Sequence, residues 1–114
     1  MNYKEMIALI PGIENKKLKL SAVCGALVTC QEAGGVPAYV DVESGFDMQV
    51  FVALGGDETR LLVSTPETAK QATEIVETLL HSGVVNLLVV AGLHVAAWDE
   101  KAARSGTSLC CIVH

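Results

Sequence analysis

The side chains able to do chemistry are few in this chain, and most of them lie in patterns that do not assemble a site. The histidines, His81, His94 and His114, show no HxxxH or similar ligand spacing, so no metal site is expected. His81 falls at the end of a helical stretch, where a cation is favoured by the helix dipole. Cys24, Cys30, Cys110 and Cys111 form no CxxC pair. Cys110 and Cys111 are adjacent in a strand-like run and point to opposite faces, so all four read as small buried hydrophobes rather than redox or metal groups. No GxSxG nucleophile elbow is present, and Ser44 in ESGF is not flanked that way. Glu43 and Asp47, in DVESGFD, are two carboxylates in an acidic loop after a strand; taken alone they read as solvated loop acids.

The bulk numbers narrow the function classes. A chain of 114 residues is most simply one domain, spanning 1–114, with a core of its own. Hydrophobic residues make up 51% and aromatics only 4%, so the core must be aliphatic. Strands apolar on both faces give that balance, as does a surface that docks on a partner. Eight basic against thirteen acidic residues leave a formal charge of −5, with Lys16, Lys17 and Lys19 the one basic cluster. That is a poor footprint for nucleic acid, whose affinity rests on phosphate contacts. The run Leu87 to Trp98, interrupted by His94, is well short of the roughly 20 residues of a membrane span. MNYKEMIALIPG carries too short an apolar core for a secretory signal, so a cytoplasmic protein without membrane attachment is expected.

Glycine and proline divide the elements that must hold any site. LKLSAVCGALVTCQEA is apolar nearly all round and predicts a buried helix of about four turns, closed by AGG. VPAYVDV predicts a strand, ESGFDMQVFVALGGDE a loop and short helix stopped at Gly55-Gly56, and LLVS a short strand. TPETAKQATEIVETLLHSG is the clearest helix. Thr65 is its expected cap and Pro66 suits its first turn; Ala69, Ala72, Ile75, Val76, Leu79 and Leu80 form its stripe, and Gly83 closes it. VVNLLVV and TSLCCIVH are continuous apolar strands joined by the helical AAWDEKAAR. EMIALI fits a strand or a short helix almost equally. The alternation predicts an α/β fold, a mostly parallel sheet flanked by helices.

Read in order, QEAGGVPAYVDVESGFD and ALGGDETRLLVSTPETAKQATEIVETLLHSGVVNLLVV resemble the ATPase core of the bacterial RecA recombinase family over Leu18 to Val90, with almost no gaps. The resemblance implies a RecA-like P-loop NTPase core in a minimal three-layer sandwich. It places Glu43 where the family keeps the glutamate that polarises the attacking water, and Asp47 where an aspartate approaches the adenine. Both are retained. The phosphate loop is not: in PGIENKKLKLS, Gly12 stands for its first glycine and Lys19 for its lysine, but Leu18 replaces the second glycine and Leu20 the hydroxyl residue. Leucine carries a Cβ where the loop needs bare backbone, and supplies no magnesium ligand. In NLLVVAGLHVAAW the family's magnesium-orienting aspartate is Ala91, and its adenine-stacking tyrosine falls near Val50 or Phe51. Glu43, Gly12, Lys19 and Asp47 are therefore vestigial in this reading, with no catalytic, cofactor-binding or metal-binding residue expected.

The family's DNA-binding loops are also reduced. The first shrinks to HVAAWDEKAARSG, and the chain stops at His114, near the family's γ-phosphate-sensing glutamine, where an ordinary chain end is preferred. The family's oligomerising N-terminal helix and C-terminal domain have no counterpart in these residues. Trp98 reads first as core, with a cleft plug or partner anchor as the alternative. The expected function is a non-catalytic RecA-like module acting through protein contacts in DNA repair, recombination or the SOS damage response, as in SulA-like and ImuA-like relatives. Its expected partners are RecA, a translesion polymerase or a cell-division protein, with weak nucleic-acid binding and a homodimer or higher oligomer. A residual ATP- and magnesium-binding domain using Lys19, Glu43 and Asp47 is the alternative, and an excised or engineered RecA core fragment is a third.

Overall fold

EMIALI is helical, forming α1 (Tyr3–Leu9). Its start explains why. The Asn2 side chain accepts the Glu5 N–H at 2.9 Å while the Glu5 carboxylate reaches back to the Asn2 N–H, a capping box that a strand would not need. This computed structural model describes residues 1–112; Val113 and His114, and with them the reading of His114, lie outside the described residues. A 3-10 turn at Ile10–Gly12 leads to α2 (Lys16–Glu32), which buries Val23, Cys24, Ala26, Leu27, Val28 and Cys30, as its all-round apolar pattern requires.

Four strands follow: β1 (Pro37–Asp41), β2 (Leu62–Ser64), β3 (Leu87–Ala91) and β4 (Ser108–Ile112). All neighbours are parallel and the order is β2-β1-β3-β4. The central β1 and β3 are buried at every position, which accounts for their unbroken apolar runs. Between them lie α3 (Met48–Ala53), α4 (Ala69–Ser82) and α5 (Ala96–Ser105), supplying the crossovers that parallel pairing demands. On one face, α1, α2 and α3 pack over Tyr39, Leu87, Val89, Cys110 and Ile112. On the other, α4 and α5 cover Ala38, Val40, Leu88 and Val90. The expected three-layer α/β sandwich is the observed one.

At the N-terminal edge of the sheet, Asn86 ties three strands together. Its side chain accepts the Val36 N–H at 2.8 Å, its own N–H donates to the Val36 carbonyl at 2.8 Å, and its carbonyl accepts the Ser108 N–H at 2.8 Å. These bonds set the starts of β1, β3 and β4 level, so the C-terminal ends of all three open on one edge.

One boundary differs from expectation. Helix α4 is capped by Thr68, not Thr65, and Pro66 precedes the helix. Thr68 Oγ1 accepts the Gln71 N–H at 3.1 Å, and the Gln71 side chain accepts the Glu67 N–H at 3.0 Å. That reciprocal pair outweighs the proline signal. Ala72, Val76 and Leu80 are buried and Ile75 and Leu79 half-buried, whereas Ala69 is exposed in the first turn; Gly83 ends the helix in the left-handed region at φ 71°.

Candidate functional site

The C-terminal ends of β1, β3 and β4 meet the N-terminus of α2, the edge where ligands bind in open parallel sheets. Here the ends are Asp41, Ala91 and Ile112. Asp41 is fully buried, and its carboxylate is used by the chain: Oδ1 accepts the Glu43 N–H and Oδ2 the Phe46 N–H, each at 2.9 Å. The loop after β1 is thus folded back on its strand, with Ser44 in the left-handed region at φ 56°. Glu43 is carried over the end of β3. A Cβ placed on Gly92 would lie 2.7 Å from Glu43 Cγ, so the glutamate side chain sits against the bare backbone following Ala91.

Between these groups remains a cavity of about 10 Å³, lined by Lys16, Leu20, Tyr39, Asp41, Glu43 and Ala91 among others. That is room for about one water molecule. The Tyr39 hydroxyl is buried there without a hydrogen-bond partner among the described residues, and burial first, then the Asp41 charge, pushes its phenol upward. Glu43, Leu20 and Ala91 are therefore brought together at the strand ends.

The other singled-out residues are dispersed. Lys19 is half-buried and borders a separate cavity of about 360 Å³ with Ile10, Pro11, His94, Asp99 and Cys111. Gly12 ends the 3-10 turn and lines neither cavity. Asp47 caps α3, its Oδ1 accepting the Gln49 and Val50 N–H groups at 2.9 and 3.3 Å. Val50 packs against the core beside the buried Phe51.

The start of α2 decides what this edge can hold. A phosphate cradle requires free backbone N–H groups at a helix N-terminus. Here the Asn15 side chain accepts the Leu18 N–H at 3.1 Å, and the Asn15 carbonyl accepts the Lys19 N–H at 2.9 Å. The side chains of Ala91 and Leu20 offer no oxygen to a cation. Asn15, Asp41 and Gly92 were not singled out from sequence, although an asparagine just before a helical run is a cap signal.

Other groups are quiet. Trp98 is fully buried against the α4–α5 face, with its Nε1 unpartnered among the described residues, so it is core and neither a cleft plug nor an exposed anchor. His94 Nε2 lies 3.1 Å from Asp99 Oδ2 on the surface. Burial pushes the thiols of Cys24, Cys30 and Cys110 up to about 11, and burial together with Cys110 and Asp99 pushes Cys111 to about 12. Among the described residues no three His, Cys, Asp or Glu side chains are grouped to hold a metal ion, and no helix is long and apolar enough to cross a membrane.

A family model described as the RecA N-terminal domain matches residues 6–108. Protein RecA of Helicobacter hepaticus is 46% identical over 77 residues, 68% of this chain and 22% of that protein. Protein RecA of Corynebacterium jeikeium is 41% identical over 88 residues, covering 77% and 23%. Protein RecA of Cytophaga hutchinsonii is 39% identical over 104 residues, covering 90% and 28%. The chain thus spans only 22% to 28% of the length of these relatives. With a family model matched over residues 6–108 and relatives 39% to 46% identical over 68% to 90% of its length, the chain belongs to the RecA N-terminal domain family.

Proposed function

We propose that the chain is a non-catalytic RecA-like module that acts through protein contacts in DNA repair, recombination or the damage response. One observation carries this reading: at the strand ends the apolar side chains of Leu20 and Ala91, with Glu43 beside them, leave room for about one water. The Asn15 side chain also takes the Leu18 amide at the start of α2. A domain that keeps the sheet and loses the chemistry has its surfaces left to work with. RecA itself, a translesion polymerase or a cell-division protein are the proposed partners. Capture from the native host followed by mass spectrometry distinguishes them.

Calorimetric titration with Mg-ATP tests the catalytic part. No heat of binding is expected, and micromolar affinity would overturn the reading. With a formal charge of −5, the chain is proposed not to hold single-stranded DNA; tight binding in a low-salt anisotropy assay contradicts that. The competing reading, a residual nucleotide-binding domain, is favoured by Lys19 bordering the cavity of about 360 Å³, and the same titration decides it.

A further inference from the structure

The two edges of the sheet are not alike. β2 has three residues and is too short to template much pairing. β4 has five, Ser108-Leu109-Cys110-Cys111-Ile112, with no charge and no proline among them. Its hydrogen bonds reveal which groups face outward. Ser108 N–H donates to the Asn86 carbonyl at 2.8 Å, and Ile112 accepts the Gly92 N–H at 2.7 Å. In the parallel register of Ser108 with Leu87 and Ile112 with Ala91, alternate residues face β3. Ser108, Cys110 and Ile112 are therefore used inward, and Leu109 and Cys111 turn their N–H and C=O groups to the open side. Neither residue has a backbone partner there among the described residues. At the end of the strand, the cavity of about 360 Å³ separates Cys111 and Ile112 from Ile10 and Pro11.

We infer that the β4 edge pairs with β4 of a second copy of this chain, antiparallel about a twofold axis through Cys110. In that register Leu109 of each copy faces Cys111 of the other, and each such pair exchanges two bonds, four in all, using every outward group of both strands. The edge is its own complement. Because β4 carries no charged side chain, identical strands meet without like-charge repulsion, and a continuous eight-stranded sheet results. This holds whether or not the proposed function does, since it rests on the outward backbone groups of Leu109 and Cys111 and not on any loss of nucleotide chemistry.

Sedimentation of the full chain, with amide hydrogen exchange over a concentration series, tests it. The expected result is a dimer in which the Leu109 and Cys111 amides exchange about tenfold or more slowly at high concentration than on dilution. Leu109→Pro removes one outward N–H and should sediment as a monomer with unchanged far-ultraviolet circular dichroism. A monomer at every concentration overturns the inference, as does a dimer that leaves both amides unprotected or survives Leu109→Pro. If Leu109→Pro fails to fold, the exchange measurement on the unaltered chain decides alone.

Discussion

Gly92→Ala probes how Glu43 is held over the end of β3. Gly92 sits at φ +95°, where a residue with a Cβ costs roughly 1–2 kcal/mol. The added Cβ would also lie 2.7 Å from Glu43 Cγ and 3.4 Å from Glu43 Cδ and Val42 Cβ. Relieving that overlap by moving the glutamate costs about 1–3 kcal/mol more. The single substitution should thus destabilise the fold by about 2–5 kcal/mol. In a Glu43→Ala background the close atom is gone, so only the backbone part should remain, about 1–2 kcal/mol. Urea unfolding followed by the fluorescence of Trp98 measures all four corners of the cycle. If Gly92→Ala costs the same in both backgrounds, within about 0.5 kcal/mol, the two residues do not couple and the placement of Glu43 argued above is wrong.

Two further outcomes are expected. Asn15→Ala removes the cap of α2 and should lower stability by about 1 kcal/mol in urea unfolding. It should not create Mg-ATP binding, because Leu20 and Ala91 are unchanged; binding in this variant would show that the cap alone blocks the edge. The buried thiols make stability depend on alkaline pH. Their folded values of about 11 to 12 lie above the ordinary 9.0, so the native state holds its protons more tightly than the unfolded chain. The stabilisation is complete below pH 9.0 and is lost as pH rises through about 11, so Tm should fall across that window. A flat Tm there would mean the thiols are not buried as described.

Strand and helix placement was legible because the periodicities were strong: β1 and β3 are unbroken apolar runs, and α4 carries a stripe of Ala72, Val76 and Leu80. Competing local signals were harder to weigh. Thr65 followed by Pro66 imitates a helix start, whereas the Thr68–Gln71 spacing that actually caps α4 is read only when the reciprocal bonds are weighed. EMIALI alone suits a strand or a helix, and the reciprocal capping of Asn2 and Glu5 decides for the helix. At the candidate site, the resemblance puts Leu18, Leu20 and Ala91 where the family's phosphate and magnesium groups are expected. The replacements were hidden: nothing in the order of residues says that Asp41 will accept amides from Glu43 and Phe46, or that Glu43 will lie on Gly92. Such contacts depend on a backbone reversal, marked by Ser44 at φ 56°, that propensity does not foretell.

The bracket made by Asn86 also governs how the chain can assemble. It joins Val36 to a residue 50 positions later, and every strand pairing in the sheet crosses an intervening helix. Among the described residues no hairpin starts the sheet locally, so closing entropy must be met before any central contact stabilises the chain. During synthesis β1 emerges apolar on both faces and waits for β3, some 50 residues behind it, before its edges are covered. Folding is therefore expected to be slow for the size of the domain. The interval in which β1 is unpaired is when this chain is most exposed to aggregation and most in need of a chaperone.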